Sequence, residues 1–194
     1  DVYKRQVLLV ATEVCSATFV HGDRTRSNLI ATALFGDGAA AAVLAPGEGG
    51  FQVERGVSRL LEDSEDVMGW TVVPEGLRVR FARSIPGIVR SVVPQLRQQA
   101  ADAVGTTPQA FTRFILHPGG AKVLEAYKEA LGVDAEALRD AYEVLREHGN
   151  MSSPTVLFVL ERFLRNPPST AADGLVLGLG PGFSAEGVVA RWTP

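Results

Sequence analysis

The chain has 194 residues, 46% of them hydrophobic, a formal net charge of −3 and a pI near 5.7. That composition is ordinary for a packed globular domain, and the lack of a basic surplus argues against nucleic acid or an anionic membrane surface as partner. A single cysteine rules out an internal disulfide, and no apolar run reaches the roughly 20 residues of a membrane span.

In chain order, the opening "DVYKRQ" is polar and lacks the apolar core of a signal peptide. It abuts the apolar run "VLLVA" with no turn between them. Residues 1–6 are therefore expected to be a non-native or truncated start, with residues 7–194 as the domain proper. β-branched apolar runs predict strands at Val7–Ala11, Ala39–Leu44, Phe51–Arg59, Leu77–Arg80, Arg113–Leu116, Gly174–Gly178 and Gly187–Trp192. Helices are predicted at Ser27–Leu34, Pro86–Val104, Gly120–Leu131, from Asp134 through Leu145, and from a Ser153 N-cap with Pro154 at the first position to about Arg165. Strands and helices alternate, and two neighbouring strands close the chain. This order implies a layered α/β fold in which helices cover a mostly buried mixed sheet.

Local signals for chemistry are individually modest. His117 follows the strand "FIL" and precedes "PGG", which delivers it to the carboxyl end of the sheet, where α/β proteins place ligands. A histidine bonded to backbone at a strand end fits the same residues. Asn150 in "HGNMSSPT" sits between two helices, where an asparagine also serves as a cap. "LGLGPGFS", Leu177 to Ser184, reads as a strand entering a glycine-rich turn, but it lacks the Lys-Ser/Thr ending and following helix of a phosphate loop. Cys15 in "TEVCSATF" is expected to be a pocket-lining thiol. The three histidines and one cysteine show no metal-ligand spacing, so no metal is expected.

Together the segments "ATEVCSATF", "SNLIATALFGDGAAAAVL", "GLRVRFARSIPGIV", "FILHPGGAKVLEAY", "LREHGNMSSPTVLFVL" and "GLVLGLGPGFSAEGVVARW" resemble, in order, the type III polyketide synthases. This is the chalcone/stilbene-synthase-like group of the thiolase superfamily. The resemblance implies the C-terminal half of a thiolase-like αβαβα fold. It also implies an acyltransferase that condenses an acyl-CoA starter with malonyl-CoA by decarboxylative Claisen chemistry, using CoA thioesters as substrates and no cofactor. His117 and Asn150 match the histidine and asparagine of the family's Cys–His–Asn triad. The nucleophilic cysteine of that triad lies upstream of the match, so the chain is expected to be inactive alone.

By the same resemblance, Phe35 matches the gatekeeper aromatic between CoA tunnel and cavity. Glu13, Cys15, Thr18 and Ser152 match cavity-lining positions. Gly178, Leu179, Gly180, Pro181 and Gly182 match the loop that shapes the cyclisation cavity. A second gatekeeper phenylalanine falls at Val79, where the lost ring is expected to widen the cavity. The wording is nearest to bacterial alkylpyrone and alkylresorcinol synthases, which implies a long fatty acyl starter, a cytoplasmic location and a homodimer in the full-length enzyme. Two other readings remain open at this point. One is an initiating ketoacyl-ACP synthase, expected to carry "HQAN"-like and "GNTS"-like segments. The other is a non-catalytic half-domain that binds CoA or a partner.

Overall fold

The computed structural model describes residues 5–194, so most of the expected non-native or truncated start lies outside the described residues. The strands are β1 (Val7–Glu13), β2 (Gly38–Leu44), β3 (Gly50–Leu60), β4 (Met68–Val73), β5 (Gly76–Phe81), β6 (Phe111–Leu116), β7 (Ala172–Gly180) and β8 (Ser184–Thr193). The helices are α1 (Arg26–Leu34), α2 (Ile85–Val104), α3 (Ala121–Leu131), α4 (Arg139–His148) and α5 (Pro154–Arg165). Short 3-10 turns lie at Cys15–Thr18, Pro108–Ala110 and Glu136–Leu138.

The centre of the described residues is a mixed sheet in the order β3–β8–β7–β6. β6 and β7 run parallel, joined through α3, α4 and α5, whereas β8 pairs antiparallel with both β7 and β3. Alternation along β8 divides the helices between the two faces. A Cβ built on Gly187 would meet Leu96 of α2, while Trp192, an odd number of residues away, packs edge-on against Phe163 of α5. The sheet is thus covered on both sides, as the alternating strand–helix order predicts.

α2 shows why such a sequence folds this way. Ile85, Val89, Val92, Val93, Leu96 and Ala100 recur at helical spacing and are all buried, and a fully buried Val or Leu contributes about 1.5–3 kcal/mol. The helix stops at Gly105, which adopts the left-handed conformation of a C-cap.

Three sequence expectations need correction. The strand β4 was not predicted, although "WTVV" followed by the turn "PEG" carries the composition of a hairpin arm. The run Val7–Val10 forms the expected strand but departs from the expected mostly buried sheet: its side chains are exposed, Leu8 by 64%. β1 and β2 pair only with each other among the described residues and rest on α5. Ser153 occupies the N-cap position of α5 without capping it, because its backbone is already helical and its hydroxyl donates to Glu13 instead. Thr155 takes over locally: its buried Oγ1 accepts from the Met151 N–H and donates to the Ser152 carbonyl.

Candidate active site

The site forms where the end of β6, the turn between α4 and α5, and the end of α1 meet. His117 directly follows β6, and its N–H continues the sheet by donating to the Leu177 carbonyl of β7 at 2.8 Å. Its carbonyl then accepts from Gly119 at 3.0 Å. This tight turn holds the imidazole at the sheet's carboxyl edge. The backbone bonds anticipated for a strand-end histidine are therefore present, and they leave the ring itself uncommitted.

Asn150 reaches the same turn from the other side. Its side chain is almost fully buried. Oδ1 accepts from the Ser152 N–H at 2.8 Å, and Nδ2 donates toward the Gly119 carbonyl at 3.4 Å. Those partners determine which end of the amide is which, since the Ser152 N–H can only donate and the Gly119 carbonyl oxygen can only accept. A Cβ on Gly119 would lie 3.8 Å from Cδ2 of the His117 ring. The same glycine therefore borders both His117 and the Asn150 amide.

The backbone of Asn150 is tied to the end of α1. Its N–H donates to Leu34 at 2.8 Å and its carbonyl accepts from Gly36 at 3.0 Å, so Phe35 and Asn150 form a parallel bridge. The two segments lie flush, and a Cβ at Gly36 would stand 2.7 Å from the His148 carbonyl oxygen. The glycines of "FGDG" and "HGN" are close-approach residues that let one segment seat on the other.

The other anticipated positions divide. Glu13, at the end of β1, accepts the Ser153 hydroxyl at 2.7 Å and so joins β1 to the Asn150 turn. Ser152 has a φ of 60°, which the Asn150 and Thr155 bonds maintain. Cys15 and Thr18 share one 3-10 turn, closed by the Thr18 hydroxyl donating to the Cys15 carbonyl at 2.8 Å. The β4–β5 hairpin, carrying the buried Val79, packs over this turn and over α1. An ion pair of 2.9 Å from Arg78 to Asp23 fastens it there. Gly178 follows the residue that pairs with His117, whereas Gly178, Leu179 and Gly180 belong to strand β7 and not to a loop. Only Pro181 and Gly182 lie in the turn, which the Ser64 hydroxyl pins through the Phe183 N–H at 2.5 Å. Sequence alone does not single out Phe81, which meets Phe35 from a distant segment, or Thr155, which bonds within its own turn.

Electrostatics separate the thiol from the imidazole. Burial first, then the Glu13 and Asp37 carboxylates, pushes the Cys15 thiol up, which disfavours the thiolate a nucleophile requires. Burial pushes the His117 imidazole down, from an ordinary 6.5 to about 4, so the ring is neutral near pH 7. Because the unfolded chain takes up that proton first, the contribution of His117 to stability is complete above pH 6.5 and is lost as pH falls toward 4. The free energy of unfolding of the native chain is therefore expected to fall more steeply over this window than that of His117→Gln. The difference is about 3 kcal/mol at most. Parallel curves in urea titrations across the window would contradict it.

Among the described residues no cluster of His, Cys, Asp and Glu has the makings of a metal site, and no helix is long and apolar enough to cross a membrane.

The family of chalcone and stilbene synthases, C-terminal domain, matches residues 52–194. A protein of Bacillus subtilis (strain 168) named "Putative chalcone synthase" is 40% identical over 200 residues, covering 96% of this chain and 54% of that protein. The 1,3,6,8-tetrahydroxynaphthalene synthase of Streptomyces peucetius subsp. caesius is 38% identical over 192 residues, covering 95% of this chain and 51% of its own length. Among solved structures, the type III polyketide synthase 1,3,6,8-tetrahydroxynaphthalene synthase of Streptomyces coelicolor A3(2) superposes with a TM-score of 0.90 at 32% identity, covering 97% of this chain and 55% of that one. The chain thus spans about half the length of the curated relatives it matches.

Proposed function

Given that the chain belongs to the chalcone and stilbene synthase family of type III polyketide synthases, we propose that it carries the oxyanion-stabilising half of a decarboxylative condensation site. The observation behind this reading is that His117 and the Asn150 amide border the same residue, Gly119. A neutral imidazole and a neutral amide can both donate hydrogen bonds to an enolate oxygen without handing it a proton prematurely. Loss of CO2 from a malonyl thioester generates that enolate, and its carbon then attacks an acyl group held on a cysteine.

The cysteine comes from outside this chain in our reading, because the Cys15 thiol resists ionisation. The N-terminal half of the complete enzyme would provide it and would also cover the exposed apolar residues of β1 and β2. Acyl-CoA and malonyl-CoA would be the substrates, the complete enzyme a cytoplasmic homodimer. Glu13, Cys15, Thr18, Val79 and Ser152 would form the cavity wall, Phe35 its gate, and Gly178 to Gly182 the side where the product cyclises. We assign a long fatty acyl starter and a pyrone or resorcinol product from the sequence resemblance. The names of the Streptomyces relatives favour a second reading, a naphthalene-type product.

Both readings are tested by grafting this chain onto the remaining half of the Bacillus subtilis relative and supplying labelled malonyl-CoA with acyl-CoAs of graded length. Labelled alkylpyrones or alkylresorcinols from the graft, and none from the chain alone, are expected. A labelled product from the chain alone would refute the missing nucleophile. A naphthalene made from malonyl-CoA without any starter would favour the second reading.

A further inference from the structure

The ring expected at Val79 has a counterpart two residues further on. Val79 and Phe81 lie on the same face of β5 by strand alternation. The Phe81 ring meets Phe35 edge-to-face, with centroids 6.0 Å apart and planes at 82°. Phe35 in turn is bridged through its backbone to Asn150. Phe81 is held firmly at its own backbone. It pairs with Met68 of β4, and the next residue, Ala82, donates to the Val67 carbonyl at 2.8 Å just before α2 begins. The Phe35–Phe81 contact is thus a fixed aromatic pair anchored beside the candidate oxyanion site, and an edge-on pair of this kind is itself stabilising.

We propose that Phe81 is a specificity-determining residue: with Phe35 it forms the aperture through which acyl groups reach Asn150, replacing the ring that Val79 lacks. This rests on the condensing function proposed above. An aperture selects on cross-section, whereas a cavity selects on length. Phe81 therefore discriminates between linear and bulky acyl groups and leaves the length preference among linear ones alone.

The test uses the complete enzyme and measures kcat/KM for a linear fatty acyl-CoA and for an aryl or branched acyl-CoA of equal carbon number. Phe81→Ala and Phe81→Leu are expected to raise the bulky-to-linear ratio by about tenfold, the scale on which pocket fit discriminates. Phe81→Trp is expected to lower it. Pairing Phe81→Leu with Phe35→Leu should give non-additive changes, as for residues in contact. Condensation with a ratio that no Phe81 variant moves would overturn this inference alone. Absence of condensation with every starter would overturn the condensing function and this inference with it.

Discussion

Asn150→Asp is expected to cut the condensation rate of the complete enzyme by about 10²–10³-fold, the usual effect of removing one oxyanion donor, while the turn around it stays folded. The two ends of the amide do different work. Oδ1 holds the Ser152 N–H at 2.8 Å, which is the capping role that any helix junction allows. Nδ2 points to the Gly119 side, where His117 lies. Aspartate keeps an oxygen for Ser152 but replaces the donor with a second acceptor, and it sets a negative charge against a developing one. Asn150→Ala removes both ends and is expected to lose similar activity, plus about 1 kcal/mol of stability from the vacated Ser152 bond. Malonyl-CoA decarboxylation and thermal unfolding of the two variants separate the roles. If Asn150→Asp stays within threefold of the native rate, Asn150 is a cap and no more.

The second large effect concerns Gly149, one residue earlier. Its φ of 71° and ψ of −162° lie in a region that is essentially glycine's alone. A Cβ there would also stand 2.6 Å from the Leu34 carbonyl oxygen, which is backbone and cannot step aside. Strain of about 1–3 kcal/mol and overpacking of about 1–3 kcal/mol act together in Gly149→Ala. Because Leu34 is also the acceptor of the Asn150 N–H, that variant should lose activity as well as stability. Gly105→Ala is the internal reference: its φ of 67° is also left-handed, but nothing lies within 4 Å of the new methyl. A melting shift for Gly149→Ala no larger than for Gly105→Ala would show that the seam between residues 34–36 and 148–150 yields more easily than its contacts imply.

The glycine case shows where sequence reading stops. Gly105 was legible as a helix stop because the signal is local: an apolar periodicity ends and a glycine follows. Nothing local says that Gly149 faces Leu34, more than a hundred residues upstream, or that Gly36 faces His148. Ser153 misled for the related reason that its serine–proline pair is a sound local cap signal, yet Glu13 takes its hydroxyl. β4 went unread although its hairpin composition is local; its central residues Trp70, Thr71 and Val72 stay exposed, Val72 by 82%.

By itself, then, the order of residues determined the α/β class, the elements of the core sheet, the family, and the pairing of "HPGG" with "GNMSS", since periodicity, caps and motif wording are all local. Tertiary structure alone decided that His117 and the Asn150 amide border one glycine and that Phe81 meets Phe35 near Asn150. Each of these is a contact between segments far apart in the chain. Such contacts are set by how sheets and helices seat on one another, which no window of sequence contains.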